Sequence, residues 1–184
     1  MKAKILSMKA LAPGVRELSL EYPQAFVFDP APGQFVNLYL NSDKRLLPRP
    51  ISICGRDEKT LTLVFGIVGE GTRELAAYAP GTEIRVSLPL GKGFDLQGKG
   101  SRRRHQSDSP EALLLGGGIG VPPLLFLAST LVEQGWRVTA ALGFRENPFL
   151  ADAFRKAGAE VYVAVENGDE GFRGNVLQLV VRER

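Results

Sequence analysis

Hydrophobic and polar residues alternate in short runs through the first hundred positions, and nothing there sustains the 3.6-residue period of a long helix. Six runs read as strands: Lys4 to Met8, Val15 to Tyr22, Phe35 to Leu40, Ile51 to Cys54, Thr60 to Val68 and Glu83 to Leu88. Pro and Gly punctuate them, a spacing that predicts a six-stranded antiparallel barrel. Between the last two runs, Gly71 to Tyr78 reads as one short helix, with Thr72 as its cap and Pro80-Gly81 as its stop. Past residue 110 the pattern changes. Ala112 to Leu115 is a continuous apolar run, Gly116-Gly117-Gly118-Ile119-Gly120 a glycine turn, and about Pro122 to Glu133 an apolar helix. Val138 to Leu142 is the next strand. Asn147-Pro148 reads as the cap and first-turn proline of a helix passing Phe149 and Phe154 and stopping at Gly158. Val161 to Val165 and Asn175 to Arg182 supply a third strand and a final helix, so two βαβ units share one short parallel sheet. The expected organisation is a barrel over residues 1–98, a basic linker over 99–110 and a short parallel α/β domain over 111–184.

Composition narrows the chemistry more than the fold. The chain has 184 residues, 44% hydrophobic and 23% charged, which is ordinary globular usage and excludes disorder and coiled coil. No window approaches the ~20 uninterrupted apolar residues of a membrane span, and the opening Met1-Lys2-Ala3-Lys4 leads into polar alternation rather than a signal-peptide core. A soluble, cytoplasmic protein is expected. The net charge of +3 is too mild and too evenly spread for a nucleic-acid partner. Its one cluster, Arg102-Arg103-Arg104-His105, reads as a solvated loop or, less simply, an anion contact. One histidine and one cysteine leave no ligand set for zinc and no internal disulfide. Cys54 reads first as a small buried hydrophobe and only second as a redox group.

Two kinds of motif carry candidate binding chemistry. Gly116 to Gly120 joins a buried strand to a helix, and bare backbone there can approach a pyrophosphate or nicotinamide closely, with unpaired N–H groups at the helix start. The spacing is not G-x-G-x-x-G, so a standard Rossmann clamp is not read, and a tight strand-to-helix corner explains the glycines equally well. In Leu47-Pro48-Arg49-Pro50-Ile51-Ser52-Ile53, arginine offers a planar fork for a phosphate oxygen, and Ser52 shares one side of the strand with Pro50 while Ile51 and Ile53 take the other. Gly69-Glu70-Gly71-Thr72 offers a second helix start. Taken singly, Arg49 serves as well in a salt bridge and Thr72 as a cap.

In order along the chain stand Pro32-Gly33-Gln34-Phe35, Arg49-Pro50-Ile51-Ser52, Gly71-Thr72, Pro89-Leu90-Gly91-Lys92-Gly93-Phe94 and Gly116-Gly117-Gly118-Ile119-Gly120. This series resembles the ferredoxin-NADP reductase-like superfamily, and within it the electron-transfer subunits of NAD-linked dihydroorotate dehydrogenase. The resemblance covers nearly the whole chain and implies an FAD-binding barrel followed by an NAD-binding α/β domain. It implies that Arg49, Pro50, Ile51 and Ser52 hold the FAD phosphates and flank the isoalloxazine. Gly71 and Thr72 would bind the flavin phosphate region, Val64, Phe65 and Gly66 would line the preceding strand, and Gly116, Gly117, Gly118, Ile119 and Gly120 would face NAD. No catalytic side chain is implied, because the cofactors carry the chemistry. The implied partner is an FMN-containing dihydroorotate dehydrogenase catalytic subunit in a hetero-oligomer of pyrimidine biosynthesis. A hydrogenase or flavin-reductase component of the same superfamily, or an interaction module that has lost its cofactor, are the alternative readings.

Two parts of the family pattern are absent from these residues. The resemblance implies a further strand with a Cys-Gly-Pro-like turn and a four-cysteine [2Fe–2S] module, whereas the sequence stops at Arg184 with a single cysteine. The α/β domain is therefore expected to be incomplete at its C-terminus, as a fragment, a split gene or a shortened relative. Two adjacent acidic residues implied near Glu166-Asn167-Gly168 are also missing.

Overall fold

The computed structural model describes residues 1–22, 29–42, 46–96, 109–168 and 170–182. Two compact units divide at Gly93/Phe94. The basic cluster at 102–105, and most of the expected linker, lie outside the described residues.

The first unit is a closed antiparallel barrel of β1 (Lys2–Ala12), β2 (Val15–Glu21), β3 (Phe35–Tyr39), β4 (Arg49–Arg56), β5 (Thr60–Gly66) and β6 (Glu83–Val86), in the order β1-β2-β5-β4-β3-β6. Alternation decides what faces inward. Ile5, Leu18, Leu20, Leu38, Leu63 and Ile84 are all fully buried, each flanked in its strand by more exposed neighbours. One helix, α1 (Glu70–Ala76), links β5 to β6 and buries Leu75 completely. Thr72 does not cap it from outside. Gly69 is the cap residue, and Thr72, in the first turn, reaches back to the backbone before the helix.

In the second unit a parallel sheet runs β10-β9-β8-β7, from β7 (Glu111–Gly117), β8 (Arg137–Phe144), β9 (Glu160–Val165) and β10 (Phe172–Arg173). Three strands were expected; the two-residue β10 is a fourth, parallel to β9. Helix α2 (Pro122–Glu133) joins β7 to β8, α3 (Ala151–Lys156) joins β8 to β9, and α4 (Val176–Arg182) follows β10.

The expected start of α3 at Asn147-Pro148 is corrected. Asn147 (φ 50°) and Leu150 (φ 66°) are left-handed, so the chain turns twice before Ala151 begins the helix. Burial of Phe149, its ring edge-on to Phe144 with centroids 5.0 Å apart, accompanies that detour, and tertiary packing overrides the local cap signal. At α4 the local signal prevails. Asn175 Oδ1 accepts from the N–H groups of Leu177 and Gln178, and Gln178 Oε1 accepts from Asn175 N–H, a reciprocal cap.

Candidate cofactor site

The site in the barrel unit begins with a break in strand pairing. β4 pairs with β3 through Leu38↔Arg49, Asn37↔Pro50, Val36↔Ile51 and Phe35↔Ser52, but with β5 only through Ile53↔Leu63, Gly55↔Thr62 and Arg56↔Leu61. Arg49 to Ser52 therefore have no β5 partner in the register, and Val64 to Gly66 pair only with β2, through Glu17, Arg16 and Val15. The barrel opens between these two stretches. Pro50, lacking an N–H, stands near the start of β4, in the stretch with no β5 partner, which is where a strand tolerates proline.

Arg49 bends across to α1. A Cβ built on Gly71 would lie 2.5 Å from Arg49 Nη2 and 2.6 Å from Cζ, so the guanidinium rests directly on the bare Cα of Gly71. Among the described residues its one side-chain hydrogen bond is a long one, 3.4 Å, to the Pro48 carbonyl, and no carboxylate pairs with it. A half-buried arginine with most of its five N–H donors unused can grip an anion. The salt-bridge reading of Arg49 thus finds no partner among the described residues.

The structure brings Arg49 and Gly71 together and places Pro50, Ile51, Ser52 and Gly66 along the open stretch. Val64 and Phe65 precede Gly66 on β5. Both side chains are buried in the folded unit, so whatever they offer a ligand comes from their backbone. Thr72 is buried too, its hydroxyl engaged with the backbone of Val68 and Gly69.

The two remaining barrel motifs meet each other. Phe35 N–H donates to Leu90 O (3.1 Å), Leu90 N–H to Phe35 O (2.8 Å), and Gln34 Nε2 to Gly91 O (2.7 Å). Gln34 O in turn accepts from Ile53 N–H at 2.9 Å, which ties this clamp to β4. Composition marked these segments, but only the fold shows that they fasten one another.

In the second unit the glycine turn divides by cause. A Cβ at Gly116 would meet Leu124 Cδ1 at 2.8 Å and Val121 Cγ2 at 3.2 Å, so a larger residue there would have to displace side chains at the start of α2. Beyond their chain neighbours, Gly118 (φ 49°) and Gly120 have no atom of the described residues within 4 Å of such a Cβ, and Ile119 is exposed: this is open surface at the carboxyl end of the sheet. Parallel sheets take ligands at that end. The expected row of free N–H groups at the start of α2 is corrected. Pro122 and Pro123 have none, while Val121 and Leu124 already donate to Gly118 O and Val121 O. Any backbone donors for a ligand come from Gly118 to Gly120.

Cys54 is 2% exposed, and burial first, the Glu17 carboxylate second, pushes its thiol from 9.0 up to about 12. A raised thiol value means the folded state holds its proton longer than the unfolded state. Stability attributed to this group is intact below pH ~9 and declines above it. We expect Cys54 to resist alkylation at pH 8 in native buffer and to react fully in denaturant; rapid native labelling, followed by mass spectrometry, would show the packing to be wrong.

A closed antiparallel barrel followed by a parallel sheet carrying a glycine turn defines a ferredoxin reductase-like fold. Solved structures agree. One reporting flavin-based electron bifurcation by an NADH-dependent reduced ferredoxin-NADP oxidoreductase matches with a TM-score of 0.81 and 26% identity, over 99% of this chain and 64% of that one. Phthalate dioxygenase reductase matches with a TM-score of 0.71 and 20% identity, over 92% of this chain and 53% of that one. No protein-family model matches. Among curated proteins, the dihydroorotate dehydrogenase B (NAD(+)) electron transfer subunit of Streptococcus pneumoniae serotype 4 is 36% identical over 181 residues, 96% of this chain and 68% of that protein. That of a Geobacillus species is 43% identical over 159 residues, 84% of this chain and 58% of the relative. The chain belongs to the family of dihydroorotate dehydrogenase B electron transfer subunits. It spans between 56% and 68% of the length of the curated relatives it matches.

Proposed function

We propose that the barrel unit binds FAD, that the second unit contributes the NAD side, and that the chain passes electrons between NAD and an FMN-containing dihydroorotate dehydrogenase catalytic subunit. The observation that carries this is the Arg49 guanidinium lying on Gly71 beside the open edge of β4, with no carboxylate on it among the described residues. When bound, FAD supplies the two-electron redox chemistry. This chain's residues supply position and charge: Arg49 grips the diphosphate, Gly71 leaves room for the guanidinium, and Pro50, Ile51, Ser52 and the backbone of Val64 to Gly66 flank the flavin. Thr72 and the surface of Gly116 to Gly120 complete the reading, the latter meeting NAD.

A [2Fe–2S] cluster does not fit these residues. Cys54, the single cysteine, is buried in the barrel and cannot supply four thiolates, so no step is assigned to a cluster here. No helix of the described residues is long and apolar enough to cross a membrane. A cytoplasmic hetero-oligomer of pyrimidine biosynthesis is part of the proposal and follows from the proposed partner.

Titration of the purified chain with FAD tests the reading. Saturable quenching of flavin fluorescence at about one FAD per chain is expected. A chain that binds no flavin is an interaction module instead, and one that binds FAD but joins no FMN-containing subunit is another ferredoxin reductase-like component.

A further inference from the structure

The open stretch Arg49 to Ser52 pairs with β3 alone, so whatever fixes the neighbouring end of β3 also fixes the Ser52 end of the stretch. That end is Phe35, the first residue of its strand, and strand ends fray unless they are held. Gln34, one residue earlier, holds it with both backbone and side chain. Its carbonyl accepts the Ile53 N–H at 2.9 Å, where β4 rejoins β5 through Ile53↔Leu63. Its side chain joins two loops: Oε1 accepts the Ala31 N–H at 2.9 Å, and Nε2 donates to Gly91 O at 2.7 Å. The loops lie in close backbone contact. Gly91 (φ 89°) and Gly93 (φ 73°) are both left-handed, and a Cβ on Gly93 would stand 2.8 Å from Pro32 O. A half-buried glutamine that engages both ends of its amide with backbone groups is there for those bonds, since burial alone is better served by an apolar side chain.

We propose that Gln34 is a positioning residue for the ring end of the flavin site: its amide locks the Gly91 loop to the start of β3, and so sets where Ile51 and Ser52 stand beside the bound ring. This rests on the flavin reading above and deepens it, since Arg49 serves the diphosphate end while Gln34, without touching the ligand, serves the ring end. Its effect is one of place rather than charge. A strand that is fixed before the ring arrives binds it more tightly than one that must be ordered on binding, because that ordering opposes association.

Gln34→Glu isolates the proposed tie. The carboxylate keeps the side chain's shape and the bond from the Ala31 N–H, but it has no proton to donate to Gly91 O. Affinity for FAD is expected to fall by roughly three- to tenfold, up to the factor that one ordinary hydrogen bond represents. ADP, which lacks the ring, is expected to compete for the site with the same inhibition constant as in wild type. The visible circular dichroism of bound FAD, which reports how the ring is held, is expected to change shape. Gln34→Met, which keeps the length and removes both bonds, is expected to change it at least as much. Bound FAD with a wild-type dichroism spectrum in either variant overturns the proposal. So does ADP binding weakened as far as FAD binding, which would mean a general loosening of the unit rather than a shift of the ring. A wild-type chain that binds no FAD sinks the flavin reading itself, an outcome distinct from a wild-type chain that binds FAD and variants that hold its ring unchanged.

Discussion

Arg49→Ala is expected to weaken FAD binding by about 1.5–3 kcal/mol, roughly 10- to 150-fold in Kd, with little change in melting temperature. Little holds the guanidinium in the free fold. It makes no ion pair among the described residues and one long hydrogen bond to a neighbouring carbonyl, so the free fold loses little when it goes. The bound state loses a charge-assisted fork on the diphosphate. Arg49→Lys should recover only part of the affinity, because an ammonium offers a point charge where a planar group lies flat on Gly71. Fluorescence titration beside thermal unfolding checks both halves. Equal flavin affinity in wild type and Arg49→Ala would remove Arg49 from the site.

The second large effect is expected from a methyl group. Gly71→Ala puts a Cβ within 2.6 Å of the Arg49 Cζ, a distance no packed pair tolerates. What yields is the far end of a flexible side chain rather than backbone, so the fold survives. Gly71 is the second residue of α1, in its first turn, where alanine's advantage over glycine is smaller than the ~1 kcal/mol of a helix interior, and stability should hold. Flavin affinity should fall nearly as far as in Arg49→Ala, since the displaced guanidinium no longer lies where the ligand needs it. The decisive measurement is the double variant. If Gly71 acts only by seating Arg49, then Arg49→Ala with Gly71→Ala binds FAD no more weakly than Arg49→Ala alone. Additive losses would show that Gly71 meets the cofactor by itself.

Much of this could be seen without coordinates, and the reason is local. Alternation in Val15–Glu21 and from Thr60 to Leu63 places every second side chain inward whatever the strand pairs with, so six barrel strands were legible from period, and the successive burial of Leu63, Val64 and Phe65 departs from it. The reciprocal cap at Asn175 and Gln178 was half legible, because its donors and acceptors lie within three residues. Asn147-Pro148 shows the limit: its helix-start signal is real, but burial of Phe149 determines where the chain turns.

The sequence by itself determined the two units' element types, the presence of an arginine fork on a barrel strand, and a glycine-rich strand-to-helix corner, because each depends on residues within a turn or a strand of one another. Only the tertiary structure decided that the fork rests on Gly71, that β4 parts from β5 where it does, and that Gly116 faces Leu124 of α2 while the Cβ positions of Gly118 and Gly120 meet nothing among the described residues. Those facts are distances between residues far apart in the chain. They follow from how strands and helices pack in three dimensions, and no periodicity along one dimension carries them.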